Sequence, residues 1–201
     1  MRRFVIVGQR ASASPEFSLE DLPSSSGRLD VLLRCLRAAL LVSHGLRRDT
    51  LVYLVLQGGP GAPRTLRFDG ATARFVRPDE RSLAVLVKKT LAAFSADQPG
   101  FVEVREGVAV MSGGLPELLV ELKPGAPFVL EEGAQDIRAF TSYGERPLFF
   151  VGDHLGFDAA TRAALASFGA IPLGVGPVSI HAEDALTVLV NELDRRDVAT
   201  S

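Results

Sequence analysis

The chain has 201 residues, of which 47% are hydrophobic and 23% charged, so it can form one globular domain with a buried core. No apolar run reaches the length of a membrane span, which argues against an integral membrane protein. Cys35 is the one cysteine, which excludes an intramolecular disulfide and a multi-cysteine zinc site. Its helical spacing with Leu32 and Leu36 favours a small buried hydrophobe over a nucleophile.

The charges are unevenly distributed, although the net charge is only −2. Residues 1–93 hold 15 Lys and Arg against 8 Asp and Glu, whereas residues 94–201 hold 7 against 16. A basic first half is suited to a polyanion such as RNA. Alternatively, the two halves attract each other, or the charges are simply solvated. Composition alone leaves these alternatives open.

The first half predicts strands that alternate with helices. The apolar stretch at 4–7 is too short for a secretory leader, so we expect the first strand of a cytoplasmic protein. Leucines at i, i+3 and i+4 spacing predict the first helix, with Ser25 or Ser26 as its cap. In chain order, the predicted elements are a strand at 2–8, a loop at 9–26, a helix at 27–45, a strand at 51–56 covered on both faces, a hairpin of TLRFDG with ARFVR, and a helix at 79–94.

The second half continues the alternation. Its predicted elements are a hairpin of FVEV with VAVM, a short helix in LPELLVEL, strands in PFVLEE and PLFFVG, a helix in DAATRAALASFG that Gly169 ends, a strand in AIPLGVG, and a last helix in HAEDALTVLVNELDRR. Such alternation predicts an α/β fold with a mainly parallel sheet flanked by helices. We find no linker that divides the chain, and expect a single domain over 1–201.

Two glycine-rich stretches follow predicted strands: GDHLG after the strand at 147–151, and LGVGP after Ile171. Ligands of parallel sheets bind at the carboxyl ends of strands. Neither stretch matches a phosphate-binding loop, and the surroundings are acidic, which favours a neutral or cationic small molecule. His154 could act as a general base, or Asp153 and His154 could hold a turn. The histidines lack the spacing of a zinc site, so we expect no metal.

The sequence resembles one known family along nearly its whole length. "FFVGDHLGF" and "IPLGVGPVSIHAEDALTVLVNELDRR" are similar to the pseudouridine N1-methyltransferases of the SPOUT superfamily. "RRFVIVGQRAS", "FSLEDLPSSSGRLDVLLRCLRAAL", "RRDTLVYLVLQG" and "RPDERSLAVLVKK" match further family blocks in the same order. Archaeal members methylate N1 of pseudouridine 54 in tRNA with S-adenosylmethionine (SAM). The resemblance therefore implies this activity, cytoplasmic tRNA as partner, a C-terminal trefoil knot and a homodimer.

The resemblance also implies a site. The SAM-binding part would span about 125–201 and the RNA-facing part about 1–93. Gly152 would form the floor of the SAM pocket, Leu130 an apolar wall, and the loop after the last strand would wrap the cofactor. The implied SAM residues are Leu130, Gly152, Leu173, Gly174, Val175, Gly176, Pro177, Val178, Ser179 and Ala185. Ala185 stands where the archaeal enzymes usually have cysteine, in HAEDA instead of HADHC.

The substrate-side residues follow from the same blocks. Asp21 in EDLPSS is the implied proton acceptor, with Asp30 as the alternative, and Arg28 and Arg81 would contact RNA or stabilise the developing anion. Arg2, Arg3, Arg10, Arg47 and Arg48 could hold phosphates or be solvated.

Three other functions remain open at the level of sequence. A SPOUT methyltransferase could act on a different RNA, the protein could bind SAM or RNA without catalysis, or it could be a hydrolase that uses His154. The apolar stripe of the last helix fits a core as well as a dimer interface; it consists of Leu186, Leu189, Val190 and Leu193.

Overall fold

An eight-stranded sheet runs through the computed structural model, which describes residues 1–61, 63–95, 99–122 and 125–200. Its strands are β1 (Arg2–Ser12), β4 (Thr50–Gly58), β5 (Arg64–Asp69), β6 (Val102–Arg105), β7 (Val108–Ser112), β8 (Pro127–Leu130), β9 (Leu148–Gly152) and β10 (Ile171–Leu173). A separate two-stranded sheet consists of β2 (Leu41–Val42) and β3 (Gly45–Leu46). The helices are α1 (Leu22–Ser25), α2 (Leu29–Leu40), α3 (Glu80–Ala93), α4 (Leu115–Glu121), α5 (Ala159–Ser167) and α6 (Ala182–Thr200), with a 3₁₀ turn at Ile137–Ala139.

The sheet order is β10–β8–β9–β1–β4–β5–β7–β6. The first five of these strands are mutually parallel, and β5, β7 and β6 continue the sheet in antiparallel pairs. This confirms the predicted α/β fold with a mainly parallel sheet. Both halves of the chain contribute strands, since β1 pairs with β4 on one side and β9 on the other.

Helices cover both faces of the sheet. Along β4, Val52 and Leu54 face one apolar layer, whereas Tyr53 and Val55 face the other, as expected for a strand covered on both sides. Helices α2, α3 and α6 pack on the first layer, and α4 and α5 on the second. The stripe of α6 belongs to the first layer, so it forms core and is not a free interface; its members are Leu186, Leu189, Val190 and Leu193.

The first predicted helix is shorter than its pattern suggests. It ends at Leu40 because Leu41–Val42 pairs with Gly45–Leu46 in a two-stranded hairpin. The predicted cap, Ser25 or Ser26, is wrong, because Arg28 occupies the N-cap position and makes no side-chain capping bond. Ser26 still supports the helix start, since its Oγ accepts a hydrogen bond from the Leu29 amide at 3.1 Å. The polar segment before it also differs from the predicted loop, because β1 continues to Ser12 and a short helix forms at Leu22–Ser25.

The predicted hairpin of TLRFDG with ARFVR is wrong. Residues 73–77 form no strand, because both edges of β5 are already occupied by β4 and β7. In addition, Phe75 has a φ of 58°, a left-handed conformation that no strand accommodates.

Ion pairs join the basic and acidic halves. Arg2 contacts Asp194 at 2.6 Å and Asp197 at 2.5 Å, and Arg47 contacts Asp194 at 2.8 Å. The mutual attraction of the halves is therefore confirmed for these side chains. Arg2 and Arg3 are buried, so the expectation that they hold RNA phosphates is wrong.

The remaining arginines of that group differ. Arg48 donates to the carbonyls of Gly70 and Ala71, and Arg10 is exposed. Within the described ranges, no helix combines the length and apolar character needed to cross a bilayer.

Candidate functional site

A cleft of about 600 Å³ opens at the carboxyl ends of the parallel strands β8, β9 and β10. The first turn of α6 closes one side through Ala182 and Ala185. This is the edge of a parallel sheet where ligands bind, and the volume lies within the usual range for small-molecule sites. Both glycine-rich stretches singled out in the sequence reach the cleft.

Nine of the ten predicted cofactor residues line this cleft: Leu130, Gly152, Leu173, Val175, Gly176, Pro177, Val178, Ser179 and Ala185. Gly174 is not among the lining residues. Its amide donates to the Gln135 carbonyl at 2.8 Å and its carbonyl accepts from the Ile137 amide at 2.7 Å. Gly174 therefore fastens the cleft wall to the segment after β8, and a Cβ there would lie 2.6 Å from the Ala134 carbonyl oxygen.

The local backbone requires glycine at position 152 on the cleft floor, for a reason that the sequence did not reveal. A Cβ at Gly152 would lie 2.8 Å from the carbonyl carbon of Gly156, so the tight turn itself requires glycine. Gly156 and Gly176 adopt positive φ, and a Cβ on either would project into open space where they line the cleft. The cleft thus has backbone surfaces with no side chain to obstruct a ligand.

The turn at the cleft floor is held by Asp153. Its buried carboxylate accepts hydrogen bonds from the amides of Gln9 and Leu155, each at 2.8 Å. The neighbouring His154 lies outside the cleft lining, with Nδ1 3.9 Å from Asp153 Oδ1. The structure therefore favours the turn-holding interpretation of this pair over a general base.

The cleft is acidic. Glu131, Glu132 and Asp153 line it, with Arg162 as the lining cation. Arg162 is paired with Glu131 at 2.9 Å, and Ser179 donates from Oγ to Glu132. Three carboxylates against one guanidinium group leave the cleft with excess negative charge, which together with its apolar walls suits a ligand that has a flat apolar part and a positive charge. Sequence reasoning missed Glu131, Glu132 and Arg162, which have no motif of their own.

A buried carboxylate organises the region between α2 and α6. Asp30 accepts from Arg28 Nε and Nη2 and from Arg34 Nη1, each at 3.0 Å. Arg34 also contacts Glu183 in the first turn of α6 at 2.7 Å. Arg28 itself has a left-handed backbone, with φ of 68°.

These contacts fix the charges of the network. Burial raises the pKa of Asp30, but hydrogen bonds from Arg28 and Arg34 outweigh it and hold the pKa below its usual range. Hydrogen bonding to Asp30 raises the pKa of Arg28. An anion held by two guanidinium groups is a weak base, so Asp30 is a poor proton acceptor and is confirmed as a partner of Arg34.

The other two predicted catalytic residues lie on the surface. Asp21 is exposed and precedes α1, where its side chain makes no capping hydrogen bond. Arg81 is exposed in the first turn of α3. Lys88, which the sequence did not single out, holds the segment before Asp21 by donating to the Phe17 carbonyl at 2.7 Å. Asp21, Arg28 and Arg81 are absent from the described cleft lining.

Comparison with known proteins places this geometry in a family. Residues 1–198 match the family described as "Putative SAM-dependent RNA methyltransferase". The chain belongs to this family. It is 40% identical over 197 residues to the tRNA (pseudouridine(54)-N(1))-methyltransferase of Methanosarcina acetivorans, covering 98% of this chain and 92% of that protein. It is 39% identical to the enzyme of the same name from Halobacterium salinarum, covering 96% of each.

A solved structure shares the fold. The crystal structure of Archaeoglobus fulgidus Nep1 bound to S-adenosylhomocysteine superimposes with a TM-score of 0.68, covering 98% of this chain and 99% of that one. The identity is 13%, so this likeness concerns the fold alone.

The cleft of this SAM-dependent methyltransferase fits its cofactor chemically. Leu130, Leu173 and Val175 offer apolar walls for adenine, and the carboxylates suit a sulfonium cation. Ala185 lines the cleft, so the alanine leaves room where a cysteine side chain would add bulk. The described residues contain no group of three or more acidic, His or Cys side chains placed to hold a metal ion.

Proposed function

We propose that this chain transfers a methyl group from SAM to N1 of pseudouridine at position 54 of cytoplasmic tRNA. The observation that supports this most directly is the near-full-length identity of 40% to a relative named for that reaction. Six further relatives with the same name are at least 34% identical. We also propose that the chain functions as a single domain, because one sheet contains strands from both halves.

We assign SAM to the acidic cleft. Leu130, Leu173 and Val175 would contact adenine, while Gly152 and Gly176 would allow close approach of backbone. Gly174 would act indirectly, because it supports the cleft wall. The remaining predicted contacts line the cleft; they are Pro177, Val178, Ser179 and Ala185. When bound, SAM supplies an electrophilic methyl group on a cationic sulfur.

The protein then has to orient the uracil ring and remove a proton. The N1–methyl bond forms as the sulfur–methyl bond breaks, and the N1 proton must leave to a base. We assign this proton to the exposed carboxylate of Asp21. Arg28 presents a guanidinium that Asp30 fixes on two nitrogens while 40% of the side chain stays exposed, which suits it to a developing anion on the ring. Arg81 would contact the RNA.

Two family properties are part of the proposal. The family resemblance implies a C-terminal trefoil knot, which would lie where the segment after β8 is fastened to the end of β10. Exposed apolar side chains at the rim of the cleft support a homodimer; they are Leu155, outside the lining, and Val178 and Ile180, which also line the cleft.

Methyl transfer from labelled SAM to two matched tRNA transcripts tests the reaction. One transcript has pseudouridine at position 54 and the other has uridine. We expect label only on the first transcript. After nuclease digestion, the label should be recovered as N1-methylpseudouridine. Label on both, or on neither while SAM still binds, would refute the proposed substrate.

Asp21→Asn tests the proton acceptor. Loss of a general base costs about 10²–10⁴-fold in rate, so we expect kcat to fall by that factor with SAM affinity unchanged. Glu20→Gln, at the adjacent exposed position, is the matched control and should retain activity. Equal rates for Asp21→Asn and wild type would remove Asp21 from the mechanism.

Sedimentation equilibrium tests the dimer. Leu155→Asp places a charge among these exposed apolar side chains without altering the cleft lining and should shift the protein toward monomer. Val120→Asp, at an exposed apolar side chain of α4, should leave the association unchanged. A monomeric wild-type protein at micromolar concentration would contradict the proposed dimer.

A further inference from the structure

A second, smaller groove lies away from the SAM cleft, between the β2–β3 hairpin and the loop before α3. It has a volume of about 500 Å³. Phe75 forms one wall, the hairpin residues Val42 and His44 another, and Arg48 and Arg74 contribute the cations. The described residues that line this groove include no Asp or Glu.

Phe75 is the unusual member of this group. Its side chain is 82% exposed, and its backbone is left-handed, which is a rare conformation for a bulky residue. The chain is anchored on both sides of it: Ala73 is buried and its amide donates to the Asp69 carbonyl at 2.7 Å, while Val76 packs against the core. The surrounding structure therefore holds an aromatic ring in water, where burial alone would not place it.

The positively charged side chains around the Phe75 ring indicate what kind of ligand could bind there. Arg48 is positioned by its hydrogen bonds to Gly70 and Ala71, which leave further guanidinium donors free. Arg74 is paired with Glu106 at 2.8 Å, but both side chains are more than half exposed, so a phosphate can compete for this arginine. His44 adds an exposed imidazole at the hairpin tip.

An exposed ring among cations matches the chemistry of an unpaired nucleotide. Single-stranded RNA is recognised by stacking of bases on aromatic side chains, with arginines on the adjacent phosphates. Of the large apolar side chains that line this groove, Phe75 and Val42 are the exposed ones, and they offer little area for a stable protein interface. We propose that this groove binds an unpaired nucleotide of the RNA substrate, with the base stacked on Phe75 and its phosphate held by Arg48 and Arg74. The proposal rests on the RNA methyltransferase function proposed above.

The absence of tryptophan from the sequence allows a direct test. Phe75→Trp introduces a single tryptophan at the groove, which can be excited apart from the two tyrosines, and Val120→Trp introduces one at a side chain that is 86% exposed on the opposite face of the sheet. We expect a 12-nucleotide oligouridylate to quench Phe75→Trp saturably and to leave Val120→Trp unchanged. A fluorescence change that depends on protein concentration without RNA would overturn the proposal in favour of a second copy.

Affinity measurements complete the test. Phe75→Ala should weaken binding of the tRNA transcript about tenfold, as expected for loss of one stacked base, whereas Phe75→Tyr should retain the affinity. SAM binding, measured by calorimetry, should be equal in all variants and serves as the folding control. Unchanged RNA affinity in Phe75→Ala, or no quenching of Phe75→Trp, would overturn the proposal.

The two proposals fail in different ways. Methyl transfer to the pseudouridine transcript without quenching of Phe75→Trp would refute the groove and leave the reaction intact. Saturable quenching without methyl transfer would refute the proposed reaction and support the groove as an RNA contact.

Discussion

Asp30→Asn removes the charge at the centre of the network between α2 and α6 while keeping the shape of the side chain. Asp30 is 2% exposed and accepts three hydrogen bonds from Arg28 and Arg34. An asparagine can accept on one oxygen only, and its amide nitrogen would face a guanidinium group. The substitution therefore leaves two cations with incomplete partners.

The size of the stability loss depends on how many other interactions Arg28 and Arg34 can still make. Removing one partner of a fully buried pair costs about 3–5 kcal/mol. The side chains of Arg28 and Arg34 are 40% and 32% exposed, so water can replace part of the lost interaction. Arg34 also keeps Glu183 and Glu80. We expect a loss of about 2 kcal/mol in the free energy of unfolding, or a decrease in Tm of about 4–8 °C for a chain of this length.

Urea denaturation followed by circular dichroism measures this loss. Glu106→Gln is the control, because it breaks the exposed pair with Arg74 and should cost less than about 1 kcal/mol. A cost for Asp30→Asn equal to that of Glu106→Gln would refute the view that the Asp30 network is a stabilising element.

The pH dependence gives an independent check. The pKa of Asp30 is lower in the folded protein than in the unfolded chain, so its contribution is complete above the unfolded value of about 3.9. It is lost as the pH falls through the lower, folded pKa. Wild-type protein should therefore lose more stability than Asp30→Asn on acidification below about pH 4. Parallel stability curves in this window would contradict the assigned pKa shift.

Three further outcomes are expected. Gly152→Ala should abolish SAM binding in calorimetry, since its Cβ would lie 2.8 Å from Gly156, whereas Gly45→Ala, with no atom within 4 Å, should bind normally. Ser26→Ala should lower the free energy of unfolding in urea by about 1 kcal/mol, and Ser26→Thr by less, because the threonine hydroxyl can still accept from the Leu29 amide at the start of α2. Burial raises the pKa of the Cys35 thiol, so Ellman's reagent at pH 8 should react only as fast as the protein unfolds; stoichiometric reaction within minutes would show an accessible thiol.

The sheet could be predicted from sequence because its central strands are continuous apolar runs. Such runs at 4–7, 51–56 and 148–151 become β1, β4 and β9, which are neighbours in the sheet. Predictions from local sequence patterns were wrong where a neighbouring strand determined whether a segment could pair. The segment ARFVR has the composition of a strand, but β7 already occupies the edge of β5 that it would need.

The cofactor side of the site was more predictable than the substrate side. Glycines after parallel strands mark a ligand edge by a general rule, and the family blocks supplied individual positions. The family blocks also imply Asp21, Arg28 and Arg81, but these residues lie in different elements and none lines the described cleft. Their joint action depends on where RNA and a second copy bind, and a single chain contains no pattern for either.

The charge segregation has two causes that composition could not separate. Arg2, Arg34 and Arg47 pair with Glu183, Asp194 and Asp197, all on α6. These pairs and the apolar stripe of the same helix fix α6 against α2 and β1, and so position the cleft wall that contains Ala182 and Ala185.

A second set of cations has no such role. Arg10, Arg37, Arg77 and Arg81 are exposed in the basic half. Salt should therefore weaken RNA binding through this exposed set, because each phosphate contact releases counterions. The same salt should affect folding much less, because the α6 pairs are partly buried and less screened. Part of the net charge of +7 in the first half is therefore used in ion pairs with α6. The exposed arginines indicate better which surface is available to RNA.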